Sequence, residues 1–475
     1  MRKILYFLAV ALMTTLNACD DYVDITPTGK KTVDSASTYL DLVSLPARCY
    51  YPSAFAMLTD NTWCLEANVI GYESLSWDGI NTTFNEGANR LQLSDNNLYE
   101  NPYKYILREN IVIGNVDESS GPEEVKRLAK AEARVMRAWD HFILVNTFAK
   151  AYDPATATTD GGIAIMDKYD LEAVPVKATV AQVYDWLIAE LEDAVPQLKE
   201  TPSDEYHPSL AFGYALLAKV CLFHRDWQKA KASAEKSLSL NGRLADYVAL
   251  KAEGGPTKST MYAKESNPEI LNYAFQGSTT DNPAYVYGMI SPELVNMFEE
   301  GDLRFSMFFK TSGTKYTFDE GSGAALWNTS ITYKKFFYGT VCMRTAEVYL
   351  MKAEAEARLN NISAAMESVN TLRAKRIEGN GAELDVPSTQ KEMMEIIVSE
   401  RRKELLFGFN RFWDLKRLNT EPEYAKTINR TFPIVSTAVE HKTYTLRPNS
   451  RLYIIPFPES VRLKNNNMTL NTDEK

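Results

Sequence analysis

Apolar and small side chains recur at helical spacing along much of this chain, and residues 342–376 show the pattern most clearly. Cys342, Ala346, Tyr349, Leu350, Ala353 and Ala357 share one face. Asn360 and Asn361 then interrupt the rhythm, and Asn tolerates the left-handed conformation that ends a helix. Ser363 is placed to cap a second helix, with Ala365, Val369 and Leu372 as its buried stripe. The pair reads as an antiparallel hairpin whose backbones approach at Ala353 and Ala365.

The same unit occurs at residues 210–240. Shifted by 135 positions it aligns without a gap: Tyr214 falls on Tyr349, Ala218 on Ala353, Asp226 on Asn361 and Ala230 on Ala365. A repeated helical hairpin with small residues at the crossing is a degenerate tetratricopeptide pattern. Two unrelated helix pairs in an ordinary helical domain are the alternative. Residues 123–148 predict a further helix, with Val135, Ala138, Phe142 and Val145 on one face, and 180–198 another. These two form a third pair near 123–198, split by a loop over 149–178. The expected fold is mainly α, with tetratricopeptide-like pairs near 123–198, 210–240 and 342–376.

Two regions break the rhythm. Residues 39–110 mix helix with aromatic-rich loops, and residues 241–341 cluster Gly, Pro, Ser and Thr between tyrosines and tryptophans. A structureless stretch this long is uncommon unless functional or disordered, and its aromatic content argues against disorder. Within it, Glu299–Asp302 reads as a solvated acidic turn. Residues 392–419 are amphipathic through Ile396, Ile397, Leu405 and Leu406. Pro456 and Pro458 predict an extended, turn-rich end.

Composition adds compartment rather than fold. With 45% apolar and 24% charged residues over 475 positions, the chain is an ordinary globular one. Arg2 and Lys3 precede an apolar run over residues 4–13, and Leu16-Asn17-Ala18-Cys19 follows. The run is too short for a permanent span and reads as a signal peptide over residues 1–18. A small residue before a cysteine at this position looks like a lipobox, so Cys19 is the expected lipidation site. A plain secretory signal with a coincidental cysteine is the alternative. Residues 19–38 then form a tether, and residues 39–475 one helical domain. No later segment approaches eighteen uninterrupted apolar residues, so the expected body is soluble apart from its anchor.

Losing residues 1–18 moves the net charge from −10 to −12. An acidic body argues against nucleic acid as a partner. Cys221 and Cys342 fall on helical faces as buried thiols, while Cys49 and Cys64 can pair only if their geometry allows.

Several motifs, in order, resemble the SusD/RagB family of surface lipoproteins. They are Glu132-Ala133-Arg134 through Ala138, Asn267-Pro268-Glu269-Ile270, Arg344 through Leu350, Glu400 through Arg417, and Ile455-Pro456. Gly408 and Asn410 depart from the family's usual Glu-Gly turn, and the motif stays legible. The resemblance covers essentially the whole chain from Cys19. It implies a tetratricopeptide-like scaffold whose irregular inserts contact ligand. It also implies attachment to the outer face of the outer membrane. There the protein would bind glycans, or in some members peptides, and deliver them to a TonB-dependent SusC-like transporter. Asp20 and Asp21 resemble that group's surface-export signal. Independently of the family, Arg411, Asp414 and Arg417 fall three apart, so Asp414 can bridge both arginines in a structural network.

Catalytic and cofactor motifs are missing from this reading. No G-x-S-x-G elbow occurs, the Gly254–Ser259 stretch fails phosphate-loop spacing, and Cys221 with His224 reads as a packed thiol beside a surface histidine. A glycosidase carboxylate pair is unsupported by any pattern. Three readings stand: a glycan-binding lipoprotein, an exported helical glycoside hydrolase, and a scaffold that binds proteins on a concave helical face. Sugar rings present C–H faces ringed by hydroxyls, which Tyr and Trp rings and polar side chains match. Trp186, Tyr214 and Tyr349 sit on helix faces as core residues. The expected ligand contacts are therefore Asp60, Asn61, Trp63, Tyr72 and Trp77 in the first irregular region, and Tyr285, Tyr287 and Trp327 in the second.

Overall fold

Ser35 opens the fold by capping its first helix, accepting the Thr38 N–H at 3.3 Å. The structure is a computed structural model. It describes residues 33–44, 53–63, 76–93, 96–170, 172–204, 206–253, 267–272, 289–312, 315–318, 343–406, 409–432, 442–472 and Glu474. Helix α1 (Ala36–Val43) is followed by α2 (Ser53–Met57) and a two-residue strand β1 (Thr62–Trp63). Helix α3 (Trp77–Thr82) is capped by Ser76, and α4 (Asn96–Asn115) leads to α5 (Glu123–Phe148).

The long α5 is the axis against which α1, α4 and α6 (Val180–Ala194) pack. It buries the predicted Val135, Ala138, Phe142 and Val145. Glu123 and Glu124 lie in its first turn, where carboxylates favour the helix dipole. Strands β2 (Gly161–Ala164) and β3 (Lys177–Thr179) pair antiparallel across the intervening loop. A Thr179–Gln182 capping box then starts α6.

The repeat appears with its offset intact. Helices α7 (Leu210–His224) and α8 (Trp227–Leu240) form the first hairpin. After α9 (Tyr247–Ala252), strand β4 (Met289–Ile290), α10 (Pro292–Val295), α11 (Leu303–Phe308) and the hairpin β5 (Phe309–Ser312) and β6 (Lys315–Phe318) come α12 (Thr345–Arg358) and α13 (Ile362–Arg373). Both helices of the second hairpin begin 135 residues after their counterparts. Arg225 and Asn360, also 135 apart, take the left-handed conformation with φ of 67° and 62°. Ala218, Ala230, Ala353 and Ala365 are all buried at the crossings. Gly213 allows a similar approach: a Cβ there would meet Leu198 and Val195 within 3 Å.

Three expectations need correction. Ser363 is not the cap of the second helix. Asn361 is, because the chain leaves the left-handed Asn360 directly into the helix and Ala365 N–H donates to the Asn361 carbonyl. Residues 241–341 are not structureless, since the short elements from α9 to β6 lie within them. The chain's end is not wholly extended: after α14 (Gln390–Glu404), α15 (Asn410–Leu418) and the β7 (Ile428–Phe432)–β8 (Lys442–Leu446) hairpin, Pro458 caps a short α16 (Glu459–Lys464). Proline suits that position because it gives up no needed N–H.

Cys221 is a buried free thiol whose pKa burial pushes up to about 12. Cys19, Cys49, Cys64 and Cys342 lie outside the described residues. Among the described residues, no helix is long and apolar enough to cross a membrane.

Candidate functional site

The last two long helices carry the motif residues inward, and buried charge holds them there. Glu404 accepts from Arg376 at 3.0 Å through both Nε and Nη2, from Arg344 at 2.9 Å and from Arg304 at 3.3 Å. Glu269 accepts from the same Arg344 at 2.8 Å and Arg376 at 2.5 Å. Glu400 takes Arg304 at 3.0 Å and Lys403 at 2.7 Å, and also Arg373. The segments at 267–270, 344–350 and 400–405 thus meet in one network, although 131 residues of chain separate Glu269 from Glu400. Burial alone would raise the Glu404 carboxyl. Arg376, Arg344 and Arg304 outweigh it and hold the group well below the usual range. By the same balance, with Arg304, Lys403 and Arg373, Glu400 falls to about 2.

The acidic turn at 299–302 is solvated only at its start: Glu299 and Glu300 are exposed, whereas Asp302 belongs to this network. Asp302 is buried and holds Arg304 through two bonds of 2.9 and 2.7 Å. Glu299 accepts from Arg373 at 2.8 Å and Lys403 at 2.7 Å. Gly301 allows the turn with φ +84°, where a Cβ would strike the Glu378 carbonyl at 2.7 Å.

On α15 the bridging differs from the one expected. Asp414 joins Arg417, at 3.0 Å, to Arg401 of α14, at 2.8 and 3.0 Å. Arg417 continues to Glu354 of α12 at 2.5 and 2.6 Å, so the last helices are tied to the repeat. Arg411 instead turns to Asp60, with two bonds of 2.7 Å.

That contact corrects the reading of Asp60 and Asn61 as ligand contacts. Both are buried. Burial raises the Asp60 carboxyl, but Arg411, Arg402 and Lys426 around it prevail and hold it far below the usual carboxylate range. Asn61 donates to the Leu406 carbonyl at 3.1 Å and accepts from Arg402 at 2.6 Å. These two residues fasten the first irregular region to the α14–α15 corner and, at 4% and 1% exposed, leave almost no surface to offer a sugar.

Their neighbours are placed differently. Strand β1 pairs antiparallel with β4, Thr62 opposite Ile290 and Trp63 opposite Met289. Ser291 N–H donates to the Asn61 carbonyl at 2.9 Å, and its hydroxyl to the Asp60 carbonyl at 2.5 Å. The two irregular regions are joined at this ladder, whose strands lie more than 200 residues apart in sequence. Trp63 lies in it, and Tyr285 and Tyr287 precede Met289 by four and two residues. Trp77 opens α3 and is half-buried against the main core. Tyr72, Tyr285, Tyr287 and Trp327 lie outside the described residues. Trp186 and Tyr214 pack against the core, as their helix positions predicted, whereas Tyr349 is only partly buried and its hydroxyl donates to the Gly242 carbonyl. Among the described residues, no group of three or more His, Cys, Asp or Glu is placed to hold a metal.

Comparison with known proteins meets this geometry at both ends of the chain. Residues 327–473 match the model described as the SusD family, and residues 50–222 match the one described as starch-binding, associating with outer membrane. The chain is a member of the SusD/RagB family. A SusD-like protein P2 of Formosa agariphila is 25% identical over 440 residues, covering 81% of this chain and 82% of its own. A solved SusD-like carbohydrate-binding protein from Bacteroides vulgatus superposes with a TM-score of 0.66 at 19% identity, covering 91% of this chain and 96% of that one. A laminarin-binding SusD-like protein does so at 0.59 and 16%, covering 90% and 97%. These likenesses bear on fold.

The SusD motifs acquire a physical meaning here. Three of them converge on the Glu269–Arg344–Arg376–Glu404 network. The Glu132-Ala133-Arg134 motif serves α5 instead: Arg134 binds Glu190 of α6, and buried Glu132 meets His207 at 2.5 Å. Sequence reading missed Asp302, Arg304, Arg373 and Arg376 as partners. The signal available was charge at helix ends: Asp302 and Arg304 at the start of α11, and Arg373 and Arg376 at the end of α13.

Proposed function

We propose that this protein is a non-catalytic surface lipoprotein that binds glycan oligosaccharide and passes it to a SusC-like TonB-dependent transporter. The observation that carries the reading is the β1–β4 ladder, which joins two aromatic-rich segments into one candidate surface. Family membership supports it, as does the likeness to SusD-like proteins that bind carbohydrate and laminarin. In this reading Trp63, Tyr72, Trp77, Tyr285, Tyr287 and Trp327 stack on sugar faces. Cleavage before Cys19 and acylation of its thiol hold the protein at the outer membrane, facing the exterior, with residues 19–38 as tether to one helical domain. No cofactor enters this mechanism. Ring stacking and hydrogen bonds suffice for capture, and release follows from their individually modest strength.

A glycan array on the chain lacking residues 1–19, run beside a peptide panel, tests the ligand class. Binding to one glycan family without turnover is expected. Binding to peptides alone would overturn the glycan assignment, and turnover abolished by one Glu or Asp substitution would overturn the non-catalytic one. Cys19→Ala is expected to leave the membrane fraction, and purification in mild detergent is expected to recover a large β-barrel partner.

A further inference from the structure

A pocket of different chemistry lies at the C-terminal end of α5, where Lys416 and Asn419 bring the last turn of α15 to its wall. The last carbonyls of a helix lack intrahelical partners. Here Lys416 Nζ donates to the Asn146 carbonyl at 2.7 Å, Ile455 N–H to Thr147 at 3.1 Å, and Asn471 Nδ2 to Phe148 at 2.8 Å. Lys416 is 5% exposed and, among the described residues, has no carboxylate partner. It lines a cavity of about 590 Å³ together with Lys177, Asn419, Arg451, Tyr453 and Thr472. That volume lies within the range of small-molecule sites.

The lining is rich in donors that nothing among the described residues satisfies. Arg451 Nε, Asn419 Nδ2, Tyr453 Oη and Thr472 Oγ1 are buried atoms without a hydrogen bond. Tyr453 is 3% exposed, and its hydroxyl lies near Asn419 without a bond of normal geometry. Buried polar groups are normally paired, so four open ones around a single cavity call for a polar occupant. Cations also outnumber acids there. Lys150 is matched by Asp160 at 2.7 Å, whereas Lys177, among the described residues, is held by the Thr469 carbonyl and hydroxyl and by Asn471. Arg451 lies 4.0 Å from Glu474, a carboxylate already bound at 2.6 Å by Arg90. Asp153 is the remaining acid of the lining.

We propose that this cavity binds a small hydroxylated carboxylate of the uronate type. The carboxylate matches Lys416, Lys177 and Arg451, and ring hydroxyls, which both donate and accept, match Asn419, Tyr453 and Thr472. The site is independent of the aromatic surface near β1 and stands whether or not that surface takes glycan. Burial lowers the Lys416 pKa to about 7, so an anion in the cavity would also favour its charged form.

Calorimetric titration of the mature chain with sodium galacturonate, galactose and sodium sulfate tests the proposal. Galacturonate is expected to bind about tenfold or more tighter than either control, the margin set by one well-made charged contact. Lys416→Met is expected to abolish binding. Because that change also uncaps α5, Tyr453→Phe and Thr472→Val serve as fold-preserving variants, each expected to weaken binding severalfold at unchanged Tm. Trp63→Ala is expected to leave galacturonate binding intact. No binding of galacturonate, sulfate binding as tightly, galactose binding as tightly, or full binding by both fold-preserving variants would each overturn the assignment.

Discussion

The two hairpins, α7–α8 and α12–α13, share one backbone plan and differ in what they bury. In the first, α7 packs Leu216, Leu217, Val220, Leu222 and Phe223 and admits one charge, Lys219. In the second, α12 buries Glu347, Glu354 and Glu356. Small residues at the crossing set the geometry of both, so side-chain identity elsewhere was free to diverge. The first copy faces the apolar core around α5, and the second faces the charged corner built by α14 and α15. Lys219 reaches across to Glu347 at 2.7 Å and joins the two environments.

The largest effect should come from breaking the charged side. Glu404→Ala leaves Arg304, Arg344 and Arg376 without a shared anion, and should destabilise by about 3–5 kcal/mol in denaturant titration. A loss below 1 kcal/mol would mean that water already screens this corner. Acid should separate the two hairpins next. Glu400 and Asp414 have folded pKa values of about 2, below their ordinary 4.5 and 3.8. The unfolded chain therefore binds more protons in between, so stability is present above about pH 5 and is lost as pH falls toward 2. Hydrogen exchange across an acid series should show α12–α15 losing protection before α7–α8.

The crossings provide a matched pair. Ala353→Leu and Ala218→Leu should each cost about 1–3 kcal/mol by overpacking. Unequal costs would show that the hairpins do not share one geometry. Smallest is the turn: Asn360→Ala should cost roughly 1 kcal/mol, because a left-handed residue loses its tolerant side chain. Arg225→Ala, at a position that already carries a Cβ-bearing residue without that tolerance, should add no such backbone penalty.

Periodicity made the hairpins legible, down to helix starts 135 residues apart and the left-handed Asn360. Local signals explain this success, since spacing and turn residues act within a few positions. What stayed hidden acts at long range. Asp60 reads as an exposed loop acid until Arg411, 351 residues later, closes on it. Asp302 reads as part of a solvated turn until Arg304 and Lys403 close on it. Ser363 misled because the second helix is capped two residues before it, at Asn361. The joining of the two irregular regions was likewise beyond local pattern, since β1 and β4 are two residues each and carry no strand signal of their own.

The claim that most depends on this assembly is that the joined irregular regions form one glycan surface. Titration of the best array glycan into Trp63→Ala, Tyr287→Ala and Trp327→Ala, with Tm recorded for each, tests it directly. Each ring is expected to be worth about 0.5–1.5 kcal/mol, a loss of roughly two- to twelvefold in affinity, with Tm nearly unchanged. Normal affinity in all three, or unfolding of all three, would contradict the account.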